Sequence, residues 1–258
     1  MTATQPFRVS AAVATSTGSS GVTGDAFYLH TLRDGTVAAC VVDGVGHSPQ
    51  ITTRAAFLAQ VAARVGATRG PVLGLLAAAD TISDPGPKEH PEEDAVAAIA
   101  VVRPDRPEVS VAWAGDCAVW GMTPATGKVS CLTTDQTMGR FLRTVNPGGP
   151  AALAAHHDPW IRVSLARSST ATVKEAEGRA PLILLTTDGV HQSLGPRRLA
   201  SVARPLCHSS PQDLADGLLR AALARARRQV CEIDDATVLA LALPSAPRRP
   251  PRLLGHAV

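Results

Sequence analysis

Aspartates stand at the ends of apolar runs at four places in this chain, and a fifth lies between two such runs. Asp25 opens one strand-like stretch. Asp43 closes Ala38-Ala39-Cys40-Val41-Val42 and is followed by Gly44. Asp188 closes Leu182-Ile183-Leu184-Leu185-Thr186-Thr187 and is followed by Gly189, and Asp234 and Asp235 directly precede Ala236 and the stretch from Thr237. Asp116 sits within Trp113-Ala114-Gly115-Asp116-Cys117. A carboxylate fixed at the end of a buried strand is costly without a partner. Hard divalent cations such as Mg²⁺ and Mn²⁺ take oxygen ligands, and converging aspartates supply them. The glycines after Asp43 and Asp188 permit a sharp turn and close approach of a backbone oxygen. A single Asp-Gly after a strand is also an ordinary turn pair. Two of them, with Asp-Asp before a third strand, leave a cation site and a set of plain turns as the two readings.

The elements that must position these carboxylates are mostly short strands. Residues 7–15 alternate and are β-branched, and 25–31 and 36–42 flank the hairpin signal Arg33-Asp34-Gly35. Residues 51–65 carry Ala55, Leu58, Ala62 and Val65 at helical spacing, and 71–82 read as a second helix. Residues 81–93 form a polar, Pro-rich loop. Strands are expected over 95–102, 109–114, 118–123 and 128–133, with a helix starting in 135–144. Residues 146–179 read as irregular. A fully apolar strand at 182–186, helices at 196–204 and 211–229 and a closing strand at 237–243 complete the pattern. Short strands joined by hairpins, with two helical pairs, argue against a doubly wound parallel sheet, which alternates one strand with one helix. The expected fold class is α+β: a four-layer αββα sandwich of two antiparallel β-sheets flanked by helix pairs. Residues 1–6 read as an N-terminal tail, 7–243 as one domain and 244–258 as a disordered C-terminal tail.

Composition narrows the function. The 258 residues are 45% hydrophobic, enough for a large core, but only 3% aromatic, so that core rests on Val, Leu, Ile and Ala. The net charge of +3 reflects the clusters Arg225, Arg227, Arg228 and Arg248, Arg249, Arg252. These lack interleaved aromatics and read as a solvated helix face and a loose tail, not a nucleic-acid surface. Five cysteines without CxxC spacing indicate neither a disulfide framework nor a zinc ribbon, and point to a reducing, cytoplasmic setting. The first residues do not read as a signal peptide, and no run approaches the roughly 20 apolar residues that span a bilayer.

The order of the motifs resembles the PPM family, the PP2C-type phosphatases. The matching pieces are Gly24-Asp25-Ala26-Phe27, Val41-Val42-Asp43-Gly44-Val45-Gly46, Ala114-Gly115-Asp116-Cys117-Ala118, Leu132-Thr133-Thr134-Asp135-Gln136-Thr137, Leu184-Leu185-Thr186-Thr187-Asp188-Gly189-Val190 and Asp234-Asp235-Ala236-Thr237-Val238. The resemblance implies a divergent bacterial member that hydrolyses phosphoserine or phosphothreonine in proteins with two Mn²⁺ or Mg²⁺ ions. By position, Asp43 resembles the carboxylate that bridges both metals, and the Gly44 carbonyl a ligand to one. Asp188 and Asp234 resemble ligands to the other, and Asp25 the first-motif aspartate acting near the metals. Asp116 resembles a residue linked to a third, weaker metal. The implied partner is a phosphorylated protein, either a kinase-pathway protein or an anti-sigma-factor antagonist.

Several positions depart from the family pattern. Residues 16–24 contain no phosphate-gripping arginine, and Gly24 stands where an acidic residue often precedes Asp25. Val45 replaces a proton-donating histidine, and His47 reads as a loop residue. Glu92-Glu93-Asp94 replaces a Gly- and Thr-rich stretch, Gln136-Thr137 a common His-Ser pair, and Gln192 an aspartate of the third-metal site. An active protein phosphatase is the expectation. The alternative is a catalytically weak or inactive phosphoprotein-binding module, and a hydrolase of small phosphate esters is a third reading. Residues 146–179 are expected to form a flap beside the site.

Overall fold

The computed structural model describes residues 7–46, 48–83, 94–229 and 233–244. His47, Glu92, Glu93, the expected tail at 1–6 and, of the expected tail at 244–258, all but Pro244 lie outside the described residues. The strands are β1 (Ser10–Ser16), β2 (Asp25–Thr31), β3 (Val37–Gly44), β4 (Ala95–Val102), β5 (Val109–Ala114), β6 (Ala118–Thr123), β7 (Lys128–Cys131), β8 (Lys174–Gly178), β9 (Leu182–Thr186) and β10 (Ala236–Ala242). The helices are α1 (Pro49–Arg69), α2 (Pro71–Ala79), α3 (Met138–Val145), α4 (Ala151–His156), α5 (Asp188–Leu206) and α6 (Pro211–Gln229).

Two five-stranded antiparallel sheets result, in the orders β1-β10-β9-β6-β7 and β2-β3-β4-β5-β8. Successive side chains of a strand face opposite sides, and here both sides are covered. In β3, Ala38, Cys40 and Val42 pack under α1 and α2, whereas Ala39 and Val41 meet the other sheet. In β9, Leu182 and Leu184 face α5 and α6, while Ile183 and Leu185 join the inter-sheet core. This double burial explains why the central strands are continuous apolar runs. Cys40 and Cys117 are buried, as expected of core residues. The four-layer α+β sandwich anticipated from the strand pattern is borne out.

Small residues let the layers approach. Gly74 of α2 sits against Gly66 of α1, where an added Cβ would lie 2.9 Å from the Gly66 Cα. α1 starts at Ser48, whose Oγ accepts the Ile51 N–H at 3.2 Å, with Pro49 in the first turn.

Two elements differ from expectation. The helix anticipated at 196–204 begins at Asp188 and bends at Gly195, where φ is +70°. The Asp188-Gly189 pair therefore opens a helix and is not a turn. A Cβ at Gly189 would lie 2.0 Å from the Asp235 carbonyl oxygen, so this glycine permits helix and strand to touch. Residues 146–179, read as irregular, contain α4, a single 3-10 turn at Leu165–Arg167 and β8. β8 reads Lys-Glu-Ala-Glu-Gly and is mostly exposed. It is an edge strand defined by pairing with β5, so neither periodicity nor propensity announces it.

Candidate metal centre

Strand parity carries the aspartates to one end of the sandwich. Continuing Ala39 and Val41 places Asp43 on the inter-sheet side, and the β2–β3 register sets Asp25 directly opposite it. On the other sheet the same parity runs from Leu185 to Thr187, and from Leu239 back to Thr237 and Asp235. The sheets are tied at this point. The Thr187 hydroxyl donates to Asp25 Oδ2 at 2.7 Å, and the Thr237 N–H donates to Thr187 Oγ1 at 2.9 Å. Asp25 Oδ1 is buried and has no hydrogen-bond partner.

Five aspartates, Asp43, Asp116, Asp188, Asp234 and Asp235, line a cavity of about 250 Å³ together with Gly44. Val45, Gly46, Val96, Pro159 and Ile161 complete its walls, so no cationic side chain lines it among the described residues. Asp25 lies behind this lining. Every sequence-singled aspartate is thus brought to one place. No three Asp, Glu, His or Cys side chains among the described residues already sit as a closed cation cage. The carboxylates surround open space instead.

Burial and mutual repulsion act on these groups in the same direction. Asp25 is pushed up to about 7 by burial, with Asp188 and Asp235 adding to it. Asp116 is pushed up to about 8 by burial, then by Asp188 and Asp135. Burial, followed by Asp234, raises Asp188 to about 6, although a hydrogen bond with Asp43 opposes this. Asp43 is driven well above the usual carboxylate range by burial and by Asp188, Asp25, Asp116 and Asp234. Two carboxylates can share a hydrogen bond only if one holds a proton. A cluster of buried, mutually repelling oxygens with one orphaned oxygen fits hard divalent cations, which supply the missing positive charge.

Asp235 has a different environment from Asp234. Its Oδ1 accepts the Gly18 N–H and its Oδ2 the Gly24 N–H, each at 2.6 Å. It pins the 18–24 segment against the start of β10. The segment has no room for side chains there, since a Cβ at Gly18 would lie 2.2 Å from the Ile233 carbonyl oxygen. Gly24 is similarly confined, with Gly44 and Gly46 carbonyl oxygens 2.8 and 3.0 Å from its would-be Cβ. The Asp-Asp pair was visible in sequence, but its division of labour was not.

Asp116 follows Gly115, whose φ is +102° and whose would-be Cβ lies 2.3 Å from Val96 Cβ. The Gln192 amide donates from α5 to Asp116 Oδ2 at 3.4 Å. Behind it, the Trp120 indole N–H donates to Thr186 Oγ1 at 3.1 Å, and Thr186 lies 3.0 Å from His191 Nδ1. Indole is a donor only, so Thr186 Oγ1 accepts from Trp120, and which partner donates between Thr186 and His191 Nδ1 depends on the His191 tautomer. Burial depresses His191 to about 4, which keeps it neutral. His191 carries no sequence signal beyond its polarity, and Thr187 and Gln136 stand in matched motifs without showing their partners, which lie far along the chain. Asp94 is another such residue. Its Oδ1 accepts the Ala95 and Ala166 N–H groups at 2.7 and 3.0 Å, and its carbonyl the Val45 N–H at 2.9 Å.

Two five-stranded antiparallel sheets between helix pairs, with an aspartate-lined cavity at one end, define the PP2C-type fold. No protein-family model and no curated protein matches the chain. Among solved structures it is similar to the serine/threonine phosphatase Stp1 from Staphylococcus aureus. The TM-score is 0.71 at 14% identity, over 92% of this chain and 96% of that one. The Mycobacterium tuberculosis serine/threonine phosphatase PstP/Ppp gives a TM-score of 0.71 at 14% identity, over 91% and 98%. The catalytic domain of PstP in complex with two manganese ions gives 0.68 at 15%, also over 91% and 98%. The fold implied by the six motifs is therefore the fold of this chain.

Proposed function

We propose that this protein is a Mg²⁺- or Mn²⁺-dependent phosphatase acting on phosphoserine or phosphothreonine of a regulatory protein. The observation that carries the reading is the cavity lining: five aspartates and no cationic side chain among the described residues. A phosphate ester is repelled from such a cavity unless cations first reverse its sign. Asp43, the Gly44 carbonyl, Asp188 and Asp234 would hold two cations. When bound, these would offset phosphoryl charge and lower the pKa of water towards about 7. Asp25 would act beside Asp43: Thr187 fixes its Oδ2, which leaves Oδ1 free to hold a proton. Val96, Pro159 and Ile161 would give the cavity a partly apolar wall that limits water. The absent arginine is then less of a puzzle, because phosphate affinity would come from the cations. A catalytically weak or inactive phosphoprotein-binding module is the weaker reading, since binding the phosphate without cations would need cationic side chains in place of these acids. Manganese-dependent hydrolysis of p-nitrophenyl phosphate and of a phosphothreonine peptide, each stopped by EDTA, tests the proposal. Absence of turnover on both at saturating Mn²⁺ would reject it; turnover on the small ester alone would favour the third reading.

The proposed third-metal role of Asp116 is weakened by Gln192, whose amide hydrogens face the carboxylate and add no negative charge. A manganese titration is expected to count two tight ions in the natural protein and an additional one in Gln192→Asp. A tight third ion in the natural protein would contradict this assignment.

The proposed flap would read the protein substrate. Leu153 and Trp160 are half exposed beside the wall residues Pro159 and Ile161, and exposed apolar groups next to a site mark contact surfaces. Because β8 belongs to a sheet, the test replaces only residues 147–157 with a short Gly-Ser linker. Turnover of the phosphoprotein is expected to fall about ten-fold, with a much smaller loss on p-nitrophenyl phosphate. Equal loss on both substrates would remove the recognition role.

A further inference from the structure

Gln136 is partly buried and bonded on every side. Its N–H donates to the Gly115 carbonyl at 3.0 Å, and its side-chain Oε1 accepts the Gly115 N–H at 2.8 Å. Its side-chain Nε2 donates to the Thr172 carbonyl at 2.7 Å, and its own carbonyl accepts the Arg162 N–H at 2.9 Å. The amide orientation is dictated by these partners, since only Oε1 can meet an N–H and only Nε2 a carbonyl.

Those partners lie on three different parts of the site. Gly115 precedes Asp116, which lines the cavity. Gly115 adopts a positive φ and a Cβ there would meet Val96, so the turn suits glycine, and both its N–H and its carbonyl are bonded to Gln136. Arg162 follows Ile161, a wall residue. The chain at Ile161 is held by a two-rung ladder, Arg162 N–H to Gln136 O and Met138 N–H to Trp160 O at 2.7 Å, around the bridge Thr137–Ile161. Thr172 is the last turn before β8.

We infer that Gln136 is a positioning residue: its side-chain amide ties the Gly115-Asp116 turn to the Thr172 turn while its main chain is laddered to the wall that carries Pro159 and Ile161, so that carboxylate and wall keep one relative placement. This rests on the phosphatase reading only for its kinetic consequence; the lock itself is a matter of hydrogen bonds. A carboxylate side chain and a thioether separate its two halves. Gln136→Glu keeps an acceptor for the Gly115 N–H but has no donor for the Thr172 carbonyl. Gln136→Met keeps length and loses both bonds.

Amide hydrogen exchange with residue resolution, run beside kinetics, decides the matter. In Gln136→Met the Gly115 amide, which loses its side-chain acceptor, should exchange about ten-fold faster, the effect of losing roughly one hydrogen bond, while the Arg162 amide, whose acceptor is the Gln136 main chain, should accelerate less. In Gln136→Glu the Gly115 amide should stay near its natural rate, while amides of 160–162 and 172–173 accelerate. For kinetics, Gln136→Glu should raise KM for a phosphothreonine peptide about ten-fold with kcat less affected. Gln136→Met should lower kcat on both the peptide and p-nitrophenyl phosphate. Identical Gly115 exchange in the two variants, or unchanged exchange at 160–162 in both, would overturn the lock. Altered exchange with unchanged kinetics would reduce Gln136 to a structural residue. A natural protein that turns over neither substrate would refute the phosphatase reading, and the exchange pattern would still judge the lock.

Discussion

Asp43→Asn is expected to lower turnover at saturating Mn²⁺ by about three orders of magnitude, or ~4 kcal/mol of barrier. In the proposed centre Asp43 serves both cations, so one lost charge weakens both. The metal-free fold should not suffer. Asp43 is held well above the usual carboxylate range by burial and by four neighbouring aspartates, so a neutral amide relieves repulsion. Thermal melting in EDTA should therefore be unchanged or raised, while the stabilisation given by Mn²⁺ should largely vanish. Asp188→Asn and Asp234→Asn should follow the same pattern. Near-natural turnover of Asp43→Asn would sink the two-cation assignment, whereas loss of activity with a lower melting temperature in EDTA would mark Asp43 as structural.

The second large effect is a pH dependence that metal should cancel. Asp188, Asp25 and Asp116 lie at about 6, 7 and 8 in the folded chain, against an ordinary value of 3.8. Between roughly pH 4 and 8 the folded state therefore keeps protons that the unfolded chain has released. Stability from these groups is fully present below the unfolded value and is lost as pH rises through the folded ones. In EDTA the melting temperature should fall by several degrees between pH 5 and 8. Mn²⁺ should restore it at pH 8 and do little at pH 5, where protons compete for the same oxygens. A metal-free melting temperature that rises steadily from pH 5 to 8 would show that the acidic cluster is not strained as described.

Much of this architecture was legible because burial writes itself into strands. β2, β4, β5, β6, β9 and α6 fall where the sequence places them, since doubly covered strands such as Ala95–Val102 are continuous apolar runs. The aspartates were legible for the same reason, as each interrupts or ends such a run. Other features depend on distant partners. β8 exists through pairing with β5, and the first turns of α5 hide behind an Asp-Gly pair that resembles a turn. Asp235 is set apart by accepting the amides of Gly18 and Gly24, more than 200 positions earlier. Gln136 is marked in the sequence as a departure from a His-Ser pair, but its bonds appear only once Gly115, Arg162 and Thr172 are brought around it.

The most direct measurement is an anomalous difference map from a crystal of the natural protein soaked in Mn²⁺ near pH 8. The account predicts two strong peaks in the cavity. Asp43 should bridge them, the Gly44 carbonyl should contact one, and Asp188 and Asp234 should contact the other. No peak there, or ions bound only away from Asp43, Asp188 and Asp234, would contradict it.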